Sequence, residues 1–94
     1  MNELNESLSR RITVTSRFGL HARPAARVAE LAASAKSNVW LIKNGEKVDA
    51  TSVIDLLSLA CTQGTQVTLR IDNPEDELIL TMIADFFAEG FQEQ

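Results

Sequence analysis

An α/β sandwich of the α+β type, with helices on one face of a mostly antiparallel sheet, is what the hydrophobic periods of this chain predict. Two-residue alternation appears in four short segments, and helical spacing separates or follows them in three places. Asn44-Gly45 joins two of the alternating segments as a tight hairpin, which makes antiparallel pairing local. The alternating segments are polar on one side, so one face of the sheet is left to water.

Residues 1 to about 9 have too few apolar side chains to pack, and they are expected as a flexible lead-in to one domain over 10–94. Arg11 to Ser16 alternates, with Ile12 and Val14 against Arg11, Thr13 and Thr15, and predicts a half-buried strand. Phe18-Gly19-Leu20 breaks it. From Pro24 to Lys36 the spacing becomes helical, with Ala25, Val28, Leu31, Ala32 and Ala35 on one stripe and Arg27, Glu30 and Ser34 on the wet side. Because a residue before proline avoids the α region, the helix is expected to begin at Pro24 with Arg23 outside it.

Asn38 to Lys43 returns to strand spacing, Asn44-Gly45 turns the chain, and Glu46 to Asp49 is the return strand. Val39 and Leu41 point one way; Trp40 and Ile42 point to the open face, as a cross-strand cluster or as a small contact patch. Ser52-Val53-Ile54-Asp55 reads as a capping box before a helix that turns Val53, Leu56, Leu57 and Ala60 inward and stops near Gln63-Gly64. Gln66 to Asp72 alternates again, with Val67, Leu69 and Ile71 inward. Asn73-Pro74-Glu75-Asp76-Glu77 starts a final helix, its acids explained by the helix dipole and its buried stripe expected at Ile79, Met82, Ile83 and Phe86. Gly90 ends it. The order is β-α-β-β-α-β-α.

A chain of 94 residues can build only one compact core. Nine Lys and Arg against thirteen Asp and Glu give a net charge of −4, which excludes phosphate-backbone binding to nucleic acid as the main task. No apolar run reaches the ~18 residues of a membrane span. The polar start MNELNESLSRR has no apolar signal region, and the single Cys61 has no internal disulfide partner; a reducing cytoplasm is the expected location. Cys61 is expected as a semi-buried small hydrophobe.

The cations are uneven: Arg10, Arg11, Arg17, Arg23 and Arg27 crowd the first third. Within that third lies the only histidine, in Gly19-Leu20-His21-Ala22-Arg23-Pro24, between a glycine break and a helix start. A helix N-terminus carries about half a positive charge and several amides without intrahelical acceptors, so an anion is stabilised there. Pro24 is compatible with that position, Arg23 offers a guanidinium fork that matches phosphate, and Arg17 and Arg27 add to the field. Imidazole is neutral and nucleophilic near pH 7, and its phosphoramidate is labile, which suits onward transfer. One cation 4 Å from a unit of phosphoryl charge contributes about 4 kcal/mol at an effective dielectric of ~20, and surface exposure reduces this several-fold. Hydrolytic triads lack a second member, a metal site lacks ligands, and there is neither a phosphate-binding P-loop nor a dinucleotide glycine pattern. On the residues alone, a phosphoryl acceptor at His21 stands beside a plain interaction module with an inert histidine. Arg27 equally fits a surface pair with Glu30.

The segment Gly19-Leu20-His21-Ala22-Arg23-Pro24-Ala25-Ala26 resembles the active-site segment of the HPr family, histidine-containing phosphocarriers of the bacterial phosphoenolpyruvate:sugar phosphotransferase system. The resemblance runs over about residues 10 to 90, with the Asn44-Gly45 hairpin, Ser52 and Thr62-Gln63-Gly64-Thr65 at the family's spacing. It implies an open-faced β-sandwich, a four-stranded sheet covered on one face by three helices. It implies that His21 accepts a phosphoryl group on Nδ1 from enzyme I and passes it to a histidine of an EIIA-type acceptor. The chain would then be a monomeric, stoichiometric carrier that uses no cofactor or metal. Arg23 would stabilise the phosphoryl group, Ala22, Pro24 and Arg27 would support it, and Leu20, Val53, Ile54 and Leu57 would dock partners. Ser52 aligns with the serine that a kinase, reversed by a phosphorylase, modifies in regulated members, although a cap at Ser52 needs no such role.

The chain departs from the family pattern at Phe18, where many relatives have a small polar residue. Glu30, Ala33 and Asp55 stand where enteric-type relatives carry lysines or neutral residues, and Asp55 would repel a phosphoserine at 52. These changes keep an alternative open: an HPr-like regulatory protein of a nitrogen-type or kinase-linked relay that signals by its phosphorylation state and drives no sugar uptake.

Overall fold

The computed structural model describes residues 8–92. Residues 1–7 of the expected lead-in lie outside the described residues; Leu8 packs against the core and Ser9 opens the first strand. The elements are β1 (Ser9–Thr13), α1 (Ala22–Ala33), β2 (Val39–Lys43), β3 (Glu46–Asp49), α2 (Val53–Ser58), β4 (Gln66–Ile71) and α3 (Glu77–Ala88), with single 3₁₀ turns at Pro74–Asp76 and Gly90–Gln92. The four strands pair antiparallel throughout in the order β1-β4-β2-β3. This is the open-faced sandwich, in the order β-α-β-β-α-β-α.

Register follows from the apolar alternation. Leu41 lies between Leu69 and Val48, Val39 opposite Ile71, and Ile12 opposite Val67, so one face of the sheet is an apolar surface under the helices. On the other face, Arg11, Thr68, Ile42 and Lys47 form one cross-strand row, and Arg70, Trp40 and Asp49 form the next. Trp40 donates from Nε1 to Asp72 Oδ1 at 3.0 Å, and Lys47 Nζ sits 4.4 Å from the indole centre. It is therefore a cross-strand cluster. Asn44 and Gly45 both have positive φ, 50° and 83°, as a type I′ hairpin requires.

Three helical assignments shift, each for a local reason. Helix α1 begins at Ala22, two residues before Pro24, and Arg23 is helical. The first helical bond, Ala25 N–H to His21 O at 2.9 Å, encloses Ala22 to Pro24 in one turn and overrides the pre-proline preference. Pro24 loses nothing, since an amide at its position has no intrahelical acceptor.

Helix α2 stops at Ser58, well before Gln63-Gly64, and it turns Leu56 and Leu59 inward while Leu57 and Ala60 are exposed. Lys43 Nζ takes the carbonyls of Leu59 and Ala60 at 2.7 and 3.1 Å, and Ala60 enters the left-handed region with φ 53°. Ser52 caps the start by accepting from Asp55 N–H at 3.2 Å, but the Ser52 amide donates to Asp49 O, so the capping box is only half formed.

In α3 the fully buried side chains are Leu80, Ile83 and Phe87; Ile79 and Phe86 are partly buried and Met82 is exposed. Apolar residues occupy most faces of this helix, so spacing alone does not fix its rotation. Asp76 does. It is buried, and its two carboxylate oxygens accept from Lys36 N–H at 2.8 Å and Ser37 N–H at 3.0 Å. The helix dipole is therefore not the reason for this acid; it closes the end of the α1–β2 connection. Glu75 meets Lys36 Nζ at 2.7 Å in the open.

Asp76→Asn replaces one acceptor oxygen with a donor facing an amide. It is expected to lower the free energy of unfolding by about 1–3 kcal/mol in urea titrations. Glu75→Gln, at an exposed pair, should leave the midpoint unchanged. Equal effects from the two would remove the anchoring role of Asp76.

Candidate functional site

The site is built where β1 hands over to α1. Gly19 has φ +68°, and a Cβ placed on it would stand 2.5 Å from Cys61 O and 3.2 Å from Thr62 Cα. Only glycine satisfies both the backbone conformation and the close approach. Gly19 N–H donates to Ser16 O at 3.0 Å and Leu20 N–H to Cys61 O at 2.9 Å, so the loop is stitched to the chain leaving α2. Gly64 N–H to Val14 O at 2.7 Å and Gln63 Nε2 to Thr15 O at 3.1 Å close the same seam.

His21 is the N-cap residue of α1, in extended conformation with φ −93° and ψ −171°, and its own amide donates to Gly19 O at 3.1 Å. Its side chain does not cap the helix, and it is partly exposed. The following amides, Ala22 and Arg23, occupy the first turn, where N–H groups have no intrahelical acceptor. α1 has no acidic residue in its first turn, whereas α2 has Asp55 and α3 has Glu77 there. No carboxylate of α1 itself therefore offsets the positive end of its dipole.

Arg23 and Ala22 are exposed beside that end, and Arg23 makes no ion pair among the described residues. Pro24 is buried in the first turn of α1. Arg27 pairs with Glu30 at 2.9 Å on the exposed face of α1, which is the surface-pair outcome. Arg17 lies with Cζ 5.1 Å from the centre of the Phe18 ring, and Phe18 meets His21 edge to face at 6.1 Å and 80°. The sequence marks Phe18 only as a departure; its ring contact depends on the turn at Gly19, which spacing does not reveal.

Of the expected docking residues, Ile54 is 78% exposed and Leu57 38%, while Val53 is partly buried. Leu20 differs: at 5% exposure its side chain belongs to the core, because the stitch at Cys61 turns it inward. α1 and α2 pack on one another, and the seam at Cys61 links the end of α2 to the His21 loop. Cys61 is buried, and burial pushes its thiol pKa up, with Lys43 opposing in part. Among the described residues no group of three His, Cys, Asp or Glu side chains is placed to hold a metal, and no helix is long and apolar enough to cross a membrane.

A family model described as the phosphotransferase system HPr component phosphorylation site matches residues 8–89. The phosphocarrier protein HPr of Cupriavidus necator is 38% identical over 87 residues, covering 88% of this chain and 98% of that protein. The crystal structure of HPr-C-His from Thermoanaerobacter tengcongensis superposes with a TM-score of 0.85 at 31% identity, covering 92% of this chain and 97% of that one. Bacillus subtilis Crh, a catabolite repression protein solved as a domain-swapped dimer, gives 0.70 at 38% identity, covering 85% and 92%.

Gly19→Ala is expected to destabilise the fold by about 1–3 kcal/mol, through strain at positive φ and the clash with Cys61 O. Gly45→Ala, at φ +83° with nothing within 4 Å of the added Cβ, keeps only the strain and should cost less. Matched thermal and urea unfolding of the two variants checks the order.

Proposed function

The chain belongs to the HPr family of the phosphotransferase system, and on that premise we propose that His21 is its phosphoryl acceptor. The observation that carries this reading is the position of His21: a partly exposed imidazole at the N-cap of α1, which has no first-turn acid while α2 and α3 do, next to an exposed Arg23 that makes no ion pair among the described residues. The donor is phospho-enzyme I and the recipient is a histidine of an EIIA-type acceptor. The chain works in the cytoplasm as a monomeric, stoichiometric carrier.

In the charging step a lone pair on His21 Nδ1 attacks phosphorus. The nitrogen–phosphorus bond to His21 forms while the donor's nitrogen–phosphorus bond breaks, and the donor imidazole keeps that electron pair. Discharge is the same exchange with His21 as the leaving group. The amides of Ala22 and Arg23 and the Arg23 guanidinium face the negative oxygens without covalent involvement. At an exposed site these contacts steady the phosphoryl group without holding it, because solvent screens each of them.

Ile54 and Leu57 extend an apolar patch on α2 for the partners. A small, partly apolar contact permits fast release, which a carrier needs in every cycle. Ser52 serves α2 as its cap, and the neighbouring Asp55 carboxylate disfavours a phosphate there.

Incubation with phosphoenolpyruvate, enzyme I and an EIIA protein should place acid-labile, base-stable phosphate on the wild type and none on His21→Ala. Label persisting in His21→Ala, or no label on the wild type, overturns the assignment. Arg23→Ala should slow transfer about ten- to hundredfold, the effect of one charge-assisted hydrogen bond, at an unchanged melting temperature. Ile54→Glu should weaken enzyme I binding about tenfold by calorimetry, and unchanged affinity would take Ile54 out of the docking surface.

A further inference from the structure

Phe18 is 59% exposed, yet it is a large apolar ring on a tightly held turn, so burial does not explain its presence. Its direction is set by backbone bonds on both sides. Phe18 N–H donates to Ser16 Oγ at 3.3 Å, and Gly19 N–H donates to Ser16 O at 3.0 Å. His21 is fixed as firmly, by its amide bond to Gly19 O and by Ala25 N–H on its carbonyl. Two side chains three residues apart thus project from rigid backbone and meet at 6.1 Å and 80°. That geometry lies in the favourable edge-to-face range for aromatic rings. On Phe18 itself sits the Arg17 guanidinium, 5.1 Å from the ring centre, within reach of a cation–π contact. Guanidinium, phenyl and imidazole form a ladder of three groups joined by two contacts.

We infer that Phe18 is a positioning residue for the His21 imidazole, and that Arg17 holds Phe18 in place for that purpose. The inference rests on the phosphocarrier reading of His21 and deepens it. Attack in line on phosphorus requires the Nδ1 lone pair to point outward, and each freely populated ring orientation dilutes the reactive one. A phenyl edge selects an orientation without offering a hydrogen-bond donor or a negative charge to the phosphoryl group. The cation stays behind the ring, so it stabilises Phe18 without a direct bond to the imidazole. A polar residue at this position would act by a hydrogen bond; Phe18 acts by shape and ring electrostatics.

The test compares Phe18→Leu, Phe18→Tyr and Arg17→Gln with the wild type. Leucine keeps an apolar surface but no ring, and tyrosine restores the ring. In the unphosphorylated protein, the nuclear magnetic resonance signals of the His21 ring protons should shift in Phe18→Leu and return in Phe18→Tyr, with the amide signals of β4 unmoved. Phosphorylation by phosphoramidate, a small donor that needs no docking, should be about threefold to tenfold slower in Phe18→Leu and near the wild-type rate in Phe18→Tyr. Arg17→Gln should fall between them. With enzyme I as donor, the loss should appear in kcat with KM unchanged.

Wild-type ring signals and rate in Phe18→Leu overturn the inference, as does a loss confined to KM, which would make Phe18 a docking residue. A Phe18→Tyr variant as slow as Phe18→Leu overturns it as well. Failure of the wild type to accept phosphate from either donor overturns the carrier reading instead, and the ring signals, which need no donor, separate that case.

Discussion

The close approach of Gly19 to the Cys61 carbonyl governs the arrangement of the candidate site. With φ at +68° and only 2.5 Å between a hypothetical Cβ and Cys61 O, the position admits no side chain. The adjoining bond from Leu20 N–H to Cys61 O ties the loop before α1 to the loop after α2. From this one seam follow three consequences. Leu20 turns into the core, His21 is left at the N-cap of α1, and the end of α2 is brought against the loop that carries it. The His21 imidazole and the exposed apolar side chains of α2, from distant parts of the chain, are thereby joined by backbone, where side-chain mobility cannot blur their relation.

The electrostatic character of the site comes from omission as much as from added charge. The chain is acidic overall, and the other two α-helices among the described residues carry a carboxylate in the first turn. α1 has none, so its dipole is not cancelled locally. Arg27, which its spacing places one turn further on, is occupied by Glu30 on the outer face. The positive potential at the site is therefore narrow, limited to the helix end with Arg23 beside it and Arg17 behind Phe18. A narrow, solvent-screened field favours a small dianion over an extended polyanion, in keeping with the net charge of −4.

Periodicity made the strands legible because each one faces a core on a single side. Val39 with Leu41, and Val67 with Leu69 and Ile71, alternate without ambiguity and sit where alternation places them. α3 was less legible because Leu78, Ile79, Leu80, Met82 and Ile83 cover more than one face, and the choice among faces is made by Asp76 reaching two amides in another connection. Spacing overstates the length of α2 for a similar reason: Lys43, from β2, takes the carbonyls of Leu59 and Ala60 just past its end. Both corrections are long-range hydrogen bonds, which local patterning does not encode. The site divides the same way. His21, Arg23 and the helix start are contiguous in sequence and could be found there, whereas the inward turn of Leu20 and the ring contact of Phe18 depend on a bond to Cys61 more than forty residues away.

The exposed apolar side chains complete this division of labour. Among the described residues, Ile54 at 78%, Leu78 at 69%, Phe18 at 59%, Met82 at 39% and Leu57 at 38% exposure are scattered over the His21 loop, α2 and α3. Scattered exposure limits the area that any partner can bury, and hence limits residence time. A phosphoryl group held by screened contacts would gain nothing from a partner that stayed long, since transfer requires the donor to leave before the acceptor arrives on the same imidazole. For the proposed carrier, weak docking and weak retention are therefore one requirement, which a small apolar surface on α2 and a partly exposed histidine at the start of α1 would both serve.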